Sequence, residues 1–112
     1  MPGPGPGPFP EVVTLCGSTR FREAFEAEQR RLTLEGRIVL SVGMFGHEEG
    51  LDESSQVEVD LDALHQRKID LSQRIHVINL GGYVGTSTRG EIACARARGV
   101  AVTYLEPWHP EP

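Results

Sequence analysis

No apolar run in this chain approaches the ~20 consecutive residues that span a bilayer, so a membrane partner is not expected. The N-terminus lacks the basic segment and apolar stretch of a secretory signal, and a cytoplasmic location is expected. Lysine and arginine never cluster: 11 of them stand against 16 aspartates and glutamates, for a formal net charge of -5. Contact along a duplex needs a positive footprint, which excludes duplex nucleic acid as the main partner and leaves small ligands open. Cysteine is scarce. Cys16 and Cys94 fall in apolar stretches and in no CxxC arrangement, so they read as small buried hydrophobes rather than as a disulfide or metal ligands. His47, His65, His76 and His109 have no metal-ligand spacing, and neither a metal nor a cofactor is expected.

What is present fits one core. A chain of 112 residues with 38% hydrophobic content lies within the range of one globular domain. Residues 1–10 (MPGPGPGPFP) alternate Gly and Pro and are expected to form a disordered tail, leaving 11–107 as the folding unit and 108–112 as a C-terminal tail. Four short apolar runs, 11–16, 37–42, 75–80 and 100–105, read as strands. Helices are expected over 21–35, with Thr19 as cap and Gly36 as stop, over 57 to about 73, and over 88–98. Residues 43–56, rich in Gly and acid, form a loop longer than most connections. Strict alternation of strand and helix predicts an α/β fold: a small open parallel sheet, strand order 2-1-3-4, with helices on both faces in the flavodoxin or Rossmann manner. Its switch point lies between the first and third strands, where ligands of open α/β sheets bind.

Two loops meet there. Gly17, Ser18, Thr19 and Arg20 offer backbone N–H groups, two hydroxyls and a guanidinium at a helix start, suited to an anion or to sugar hydroxyls. After the third strand, Gly82, Tyr83, Gly85, Thr86 and Ser87 repeat that arrangement, and Glu91 is the segment's carboxylate. Local pattern favours a humbler use of Glu91, since Thr88-x-x-Glu91 matches a capping box. On the second helix, with Val57 at 0° and about 100° per residue, Leu61, Leu64, Lys68 and Leu71 fall at about 40°, 340°, 20° and 320°, which puts Lys68 in the apolar stripe. Either its stem packs while the ammonium reaches the sheet edge, or it pairs with Asp70 or Glu91. In the long loop Phe45 and His47 are placed to cover a flat ligand, while Glu48, Glu49, Asp52 and Glu53 read as a solvated acidic edge.

Taken together, LCGSTRF (15–21), the long loop, KIDLSQRI (68–75) and VINLGGYVGTSTRGEIACA (77–95) resemble the nucleoside 2-deoxyribosyltransferase superfamily, including its branch of deoxynucleoside 5'-monophosphate N-glycosidases. The resemblance spans roughly residues 12–105 and rests mainly on the two loop motifs. It implies a nucleoside or nucleotide substrate, Glu91 as the nucleophile that cleaves or exchanges an N-glycosidic bond, contact of the Gly17–Arg20 loop with sugar or phosphate, and a homodimer or larger homo-oligomer. Lys68 stands where the N-glycosidase branch has an aspartate, with Asp70 two residues on, and Gly85 stands where that branch has a phosphate-binding serine. Lys68 paired with Glu91 would keep the carboxylate ionised, and Asp70 or His47 would supply a proton to the leaving base. A non-catalytic nucleotide sensor of the same fold, and a flavodoxin-like redox domain, are the alternatives.

Overall fold

The computed structural model of the chain describes residues 9–43 and 56–107. Strands and helices alternate as β1 (Val12–Gly17), α1 (Arg22–Leu34), β2 (Ile38–Leu40), α2 (Gln56–Asp70), β3 (Arg74–Ile78), α3 (Thr86–Ala97) and β4 (Ala101–Tyr104). The sheet order is β2-β1-β3-β4 and every pairing is parallel, as the alternation predicts. In the central pair Val13 lies opposite Arg74, Leu15 opposite His76 and Gly17 opposite Ile78, so β1 and β3 end side by side at the switch point. No helix among the described residues is long and apolar enough to cross a membrane.

The two-residue period of β1 divides the core. Val13 and Leu15 face α1, packing with Phe25, Leu32 and Ile78, while Cys16 faces the other way, into a cluster with Ile69 of α2 and Ile92 and Ala95 of α3. Helices therefore cover both faces. On the α1 side one buried carboxylate is fully partnered: Glu28 meets His76 Nε2 at 2.8 Å and Arg31 at 2.8 Å, and His76 Nδ1 meets Thr103 at 2.8 Å. A satisfied network of this kind is tolerated inside a core, where an unpaired charge is not.

Several boundaries differ from the sequence reading for local reasons. Ser18, not Thr19, caps the entry: its hydroxyl accepts the Arg20 N–H at 3.3 Å over a short turn of 3-10 helix (Thr19–Phe21), and α1 starts only at Arg22. Gly36 follows α1 as expected. Helix α2 stops at Asp70 because Ser72 turns back, donating to the Lys68 carbonyl at 2.8 Å while meeting buried Thr14 at 2.5 Å. Helix α3 begins at Thr86 with Gly85 as its cap, two residues before the expected start. Thr88 is therefore inside the helix, so the capping box expected of Thr88 and Glu91 does not form.

Helix α2 also sits rotated from its expected facing. His65, Ile69 and Ser72 are buried, whereas Val57, Leu64 and Leu71 are exposed. On the same wheel the buried residues centre at about 60° to 120°, so the apolar stripe was real but the packed side lies about a quarter turn away.

Candidate active site

Cys16 is the penultimate residue of β1, and the parallel register carries it to the carboxyl end of the sheet. Thr14, two residues earlier on the same side of the strand, hydrogen-bonds the Lys68 carbonyl at 3.2 Å and Ser72. Those contacts lock the end of α2 against β1. Since α2 runs back along the strand, the three residues from Lys68 to His65, a rise of about 4.5 Å, run alongside the two strand residues from Thr14 to Cys16, about 6.6 Å, and His65 arrives beside Cys16. The Cys16 Sγ to His65 Nε2 distance is 3.3 Å. From α3, Glu91 completes the group, with a carboxylate oxygen 4.0 Å from His65 Nε2. One helical turn separates Glu91 from buried Thr88 on one side and buried Ala95 on the other, which is why its side chain turns inward.

Burial governs the electrostatics of this trio. Only 8% of the His65 side chain and 13% of the Glu91 side chain are exposed. Desolvation pushes the Glu91 carboxyl up to about 7; a hydrogen bond from Cys16 opposes the rise and the charge of Asp62 adds to it. Desolvation likewise holds His65 down at about 4, helped by the Lys68 charge. Burial raises the Cys16 thiol well above its usual range, and the neighbouring Glu91 raises it further. At neutral pH the group is a protonated thiol, a neutral imidazole and a carboxyl near its midpoint. Such a carboxyl can act as a nucleophile or as an acid, depending on pH.

Around it, the two loops anticipated from the sequence are joined. The Arg20 guanidinium lies 4.5 Å from the centre of the Tyr83 ring, and Phe21 meets the same ring edge-on at 6.0 Å. Gly85 has a reason of its own: a Cβ there would stand 3.2 Å from the Tyr83 hydroxyl, so the serine of the resembling branch would crowd the ring. Gly17 is equally constrained, with φ of +150° and only 2.7 Å from an added Cβ to the Ile78 carbonyl oxygen. Thr86 and Ser87 are exposed at the start of α3, which has no side-chain cap and no acidic residue in its first turn. Its N–H groups and positive dipole end remain open to an anion.

Comparison with protein-family models, curated proteins and solved structures finds no match. The site therefore has to be read from its own geometry. Lys68 does not pair with Glu91: its Nζ donates to the Ser41 carbonyl at 2.5 Å, beyond the end of edge strand β2, which is the reach expected of a packed stem. Nor does it hold Glu91 ionised, because burial outweighs any such help. Asp70 lies away from the group, bound to Arg98 at 2.5 Å and Arg67 at 3.3 Å; Arg98 follows the last residue of α3, at the amino end of the sheet. Phe45 and His47 lie outside the described residues. The partners of Glu91 that sequence reading missed are Cys16 and His65. Their one sequence signal is placement, a cysteine closing a strand and a histidine inside a helix one turn before Ile69; Cys16 reads as a small buried hydrophobe and His65 has no metal-ligand spacing.

Proposed function

We propose that this protein cleaves or exchanges the N-glycosidic bond of a nucleoside or nucleotide, with Glu91 as the nucleophile. The observation that carries the reading is a desolvated carboxylate, with 13% of its side chain exposed, near the switch point of an open parallel sheet. Cys16 and His65, themselves 3.3 Å apart, lie beside it, His65 Nε2 being 4.0 Å from its carboxylate. A carboxylate stripped of water is poorly solvated when ionised, so developing positive charge at C1' of a sugar stabilises it more than it would in water. Attack forms a glycosyl-enzyme, the base departs, and water or a second base takes the sugar. The open start of α3, with Thr86 and Ser87, and the Ser18–Arg20 turn supply the donors that a 5'-phosphate or sugar hydroxyls require. Tyr83, 43% exposed and braced by Arg20, offers a ring on which a base can stack. Resemblance to the nucleoside 2-deoxyribosyltransferase superfamily points the same way.

The test is release of free base from a panel of nucleosides and 5'-monophosphates, followed by chromatography, with wild type and Glu91→Gln side by side. Release is expected for at least one substrate and is expected to vanish in the variant; equal release by both removes Glu91 from the reaction. The burial of Glu91 favours the sensor alternative: it pushes the carboxyl up to about 7, so a protonated form that cannot attack is present near neutral pH. Ligand-induced melting shifts without base release between pH 6 and 9 would decide for the sensor. A homo-oligomer belongs to the same proposal, supported by exposed Val57 and Leu64 on α2 and exposed Leu71 just past its end.

A further inference from the structure

Three donors of different chemistry converge at the crevice. The thiol sulfur of Cys16, the imidazole of His65 and the carboxylate of Glu91 each offer one atom, and these atoms all lie within 4.8 Å of one another. We propose that Cys16, His65 and Glu91 form a binding site for one Zn²⁺ ion, and that the bound ion withdraws Glu91 from attack on a sugar. The site stands on the donor geometry alone, whereas the withdrawal of Glu91 rests on the glycosidic reading.

The donor set is that of a zinc site: sulfur, nitrogen and oxygen, from three separate elements. Tetrahedral zinc, with bonds of about 2.3 Å to sulfur and about 2.0–2.2 Å to nitrogen and oxygen, spaces its ligand atoms roughly 3.3–3.6 Å apart. The sulfur–nitrogen separation of 3.3 Å already matches, and the nitrogen–oxygen separation of 4.0 Å needs the Glu91 carboxylate to swing in by less than the length of one bond. The carboxylate end of a glutamate side chain makes that move by rotation about its own bonds. Ile69, Val77, Val84 and Ile92 of the surrounding cluster keep the group dry, which strengthens every charge interaction within it. Three protein ligands leave a fourth position for water or a ligand atom. On binding, the thiol gives its proton to solvent and becomes the thiolate ligand, and any proton on Glu91 leaves in the same way. Harder ions such as Mg²⁺ are excluded by the thiolate and imidazole, which favour softer metals.

The experiment uses the full chain, stripped with a chelator and titrated with Zn²⁺ against a chromophoric competitor, and separately with Co²⁺ to look for a thiolate-to-cobalt charge-transfer band. Expected are one ion per chain, a charge-transfer band, and at least a tenfold loss of affinity in each of Cys16→Ser, His65→Ala and Glu91→Gln, with Cys94→Ser unchanged. Glu91→Gln keeps the shape of the residue, so it reports even where a core variant fails to fold; a zinc-dependent rise in the wild-type urea midpoint, absent in Glu91→Gln, is a second readout. Absence of stoichiometric binding, or binding that Cys94→Ser removes and Cys16→Ser does not, overturns the site. Base release by the stripped protein is measured in parallel: its persistence without zinc binding refutes the metal site alone, and zinc binding by a protein that never releases base refutes the glycosidic reading alone. Added Zn²⁺ is expected to abolish base release at the concentration that fills the site, and undiminished turnover by the filled protein overturns the claim that zinc withdraws Glu91.

Discussion

Under the proposed reaction, Glu91 sets activity against stability in one side chain. Its folded pKa of about 7 lies above the ordinary 4.5, so the contribution of this group is intact below pH 4.5 and is lost as pH rises through 7. Above that range the ionised, buried carboxylate destabilises the metal-free fold by roughly 3 kcal/mol relative to an exposed one. Glu91→Gln is therefore expected to abolish base release and yet raise the urea midpoint at pH 8, with little change at pH 4. A variant less stable than wild type at pH 8 would mean that the carboxylate is not desolvated. His65 has the opposite sign: its folded pKa of about 4 lies below 6.5, so its contribution grows as pH rises from 4 to 6.5. Across pH 4.5–6.5 the two largely offset each other, and above 6.5 only the Glu91 loss remains. Comparing urea midpoints of wild type, Glu91→Gln and His65→Gln over pH 4–8 separates the two slopes. Turnover should likewise increase with pH through about 7 as the nucleophile ionises, and a rate that falls over that range would assign Glu91 the part of an acid.

Two strand ends and two helices set that chemistry, and their contacts can be broken singly. Gly17→Ala would drive a Cβ into the Ile78 carbonyl at a backbone angle that L-residues avoid, so a loss of roughly 2 kcal/mol or more in denaturant unfolding is expected. A loss below 0.5 kcal/mol would mean that β1 and β3 are not held so closely at the crevice. Tyr83→Ala separates the loops without touching the core. The Arg20 contact it removes is worth only about 0.5–1 kcal/mol, so stability should barely move while KM for a nucleotide rises several-fold. Helix α2 shows why element-level reading went astray. Counting apolar residues put Val57, Leu64 and Leu71 inside, yet the side that packs carries a histidine and a serine, satisfied by Cys16 and by Thr14. Polar residues with partners are invisible to a hydrophobic count.

At the scale of the whole molecule, the exposed stripe on α2 predicts association of the chain with itself. Sedimentation should find a dimer or larger species, and a double substitution, Leu64→Glu with Leu71→Glu, should yield monomers with unchanged helix content. Wild type that is monomeric at all concentrations would remove the oligomer from the proposal. The fold itself was legible in the sequence, because hydrophobic period and glycine punctuation are local, and parallel strands joined by helices leave few arrangements. For the same reason, the meeting of the Gly17–Arg20 and Gly82–Ser87 loops could be stated before any coordinates. The company Glu91 keeps was not legible. Cys16 and His65 lie 49 residues apart, and no local period relates them. Three matters were decided only when the chain packed: the rotation of α2 about its axis, the attachment of Lys68 to the Ser41 carbonyl instead of a carboxylate, and the removal of water from Glu91. Each depends on which surfaces come together, and a desolvation energy has no counterpart in a sequence until they do.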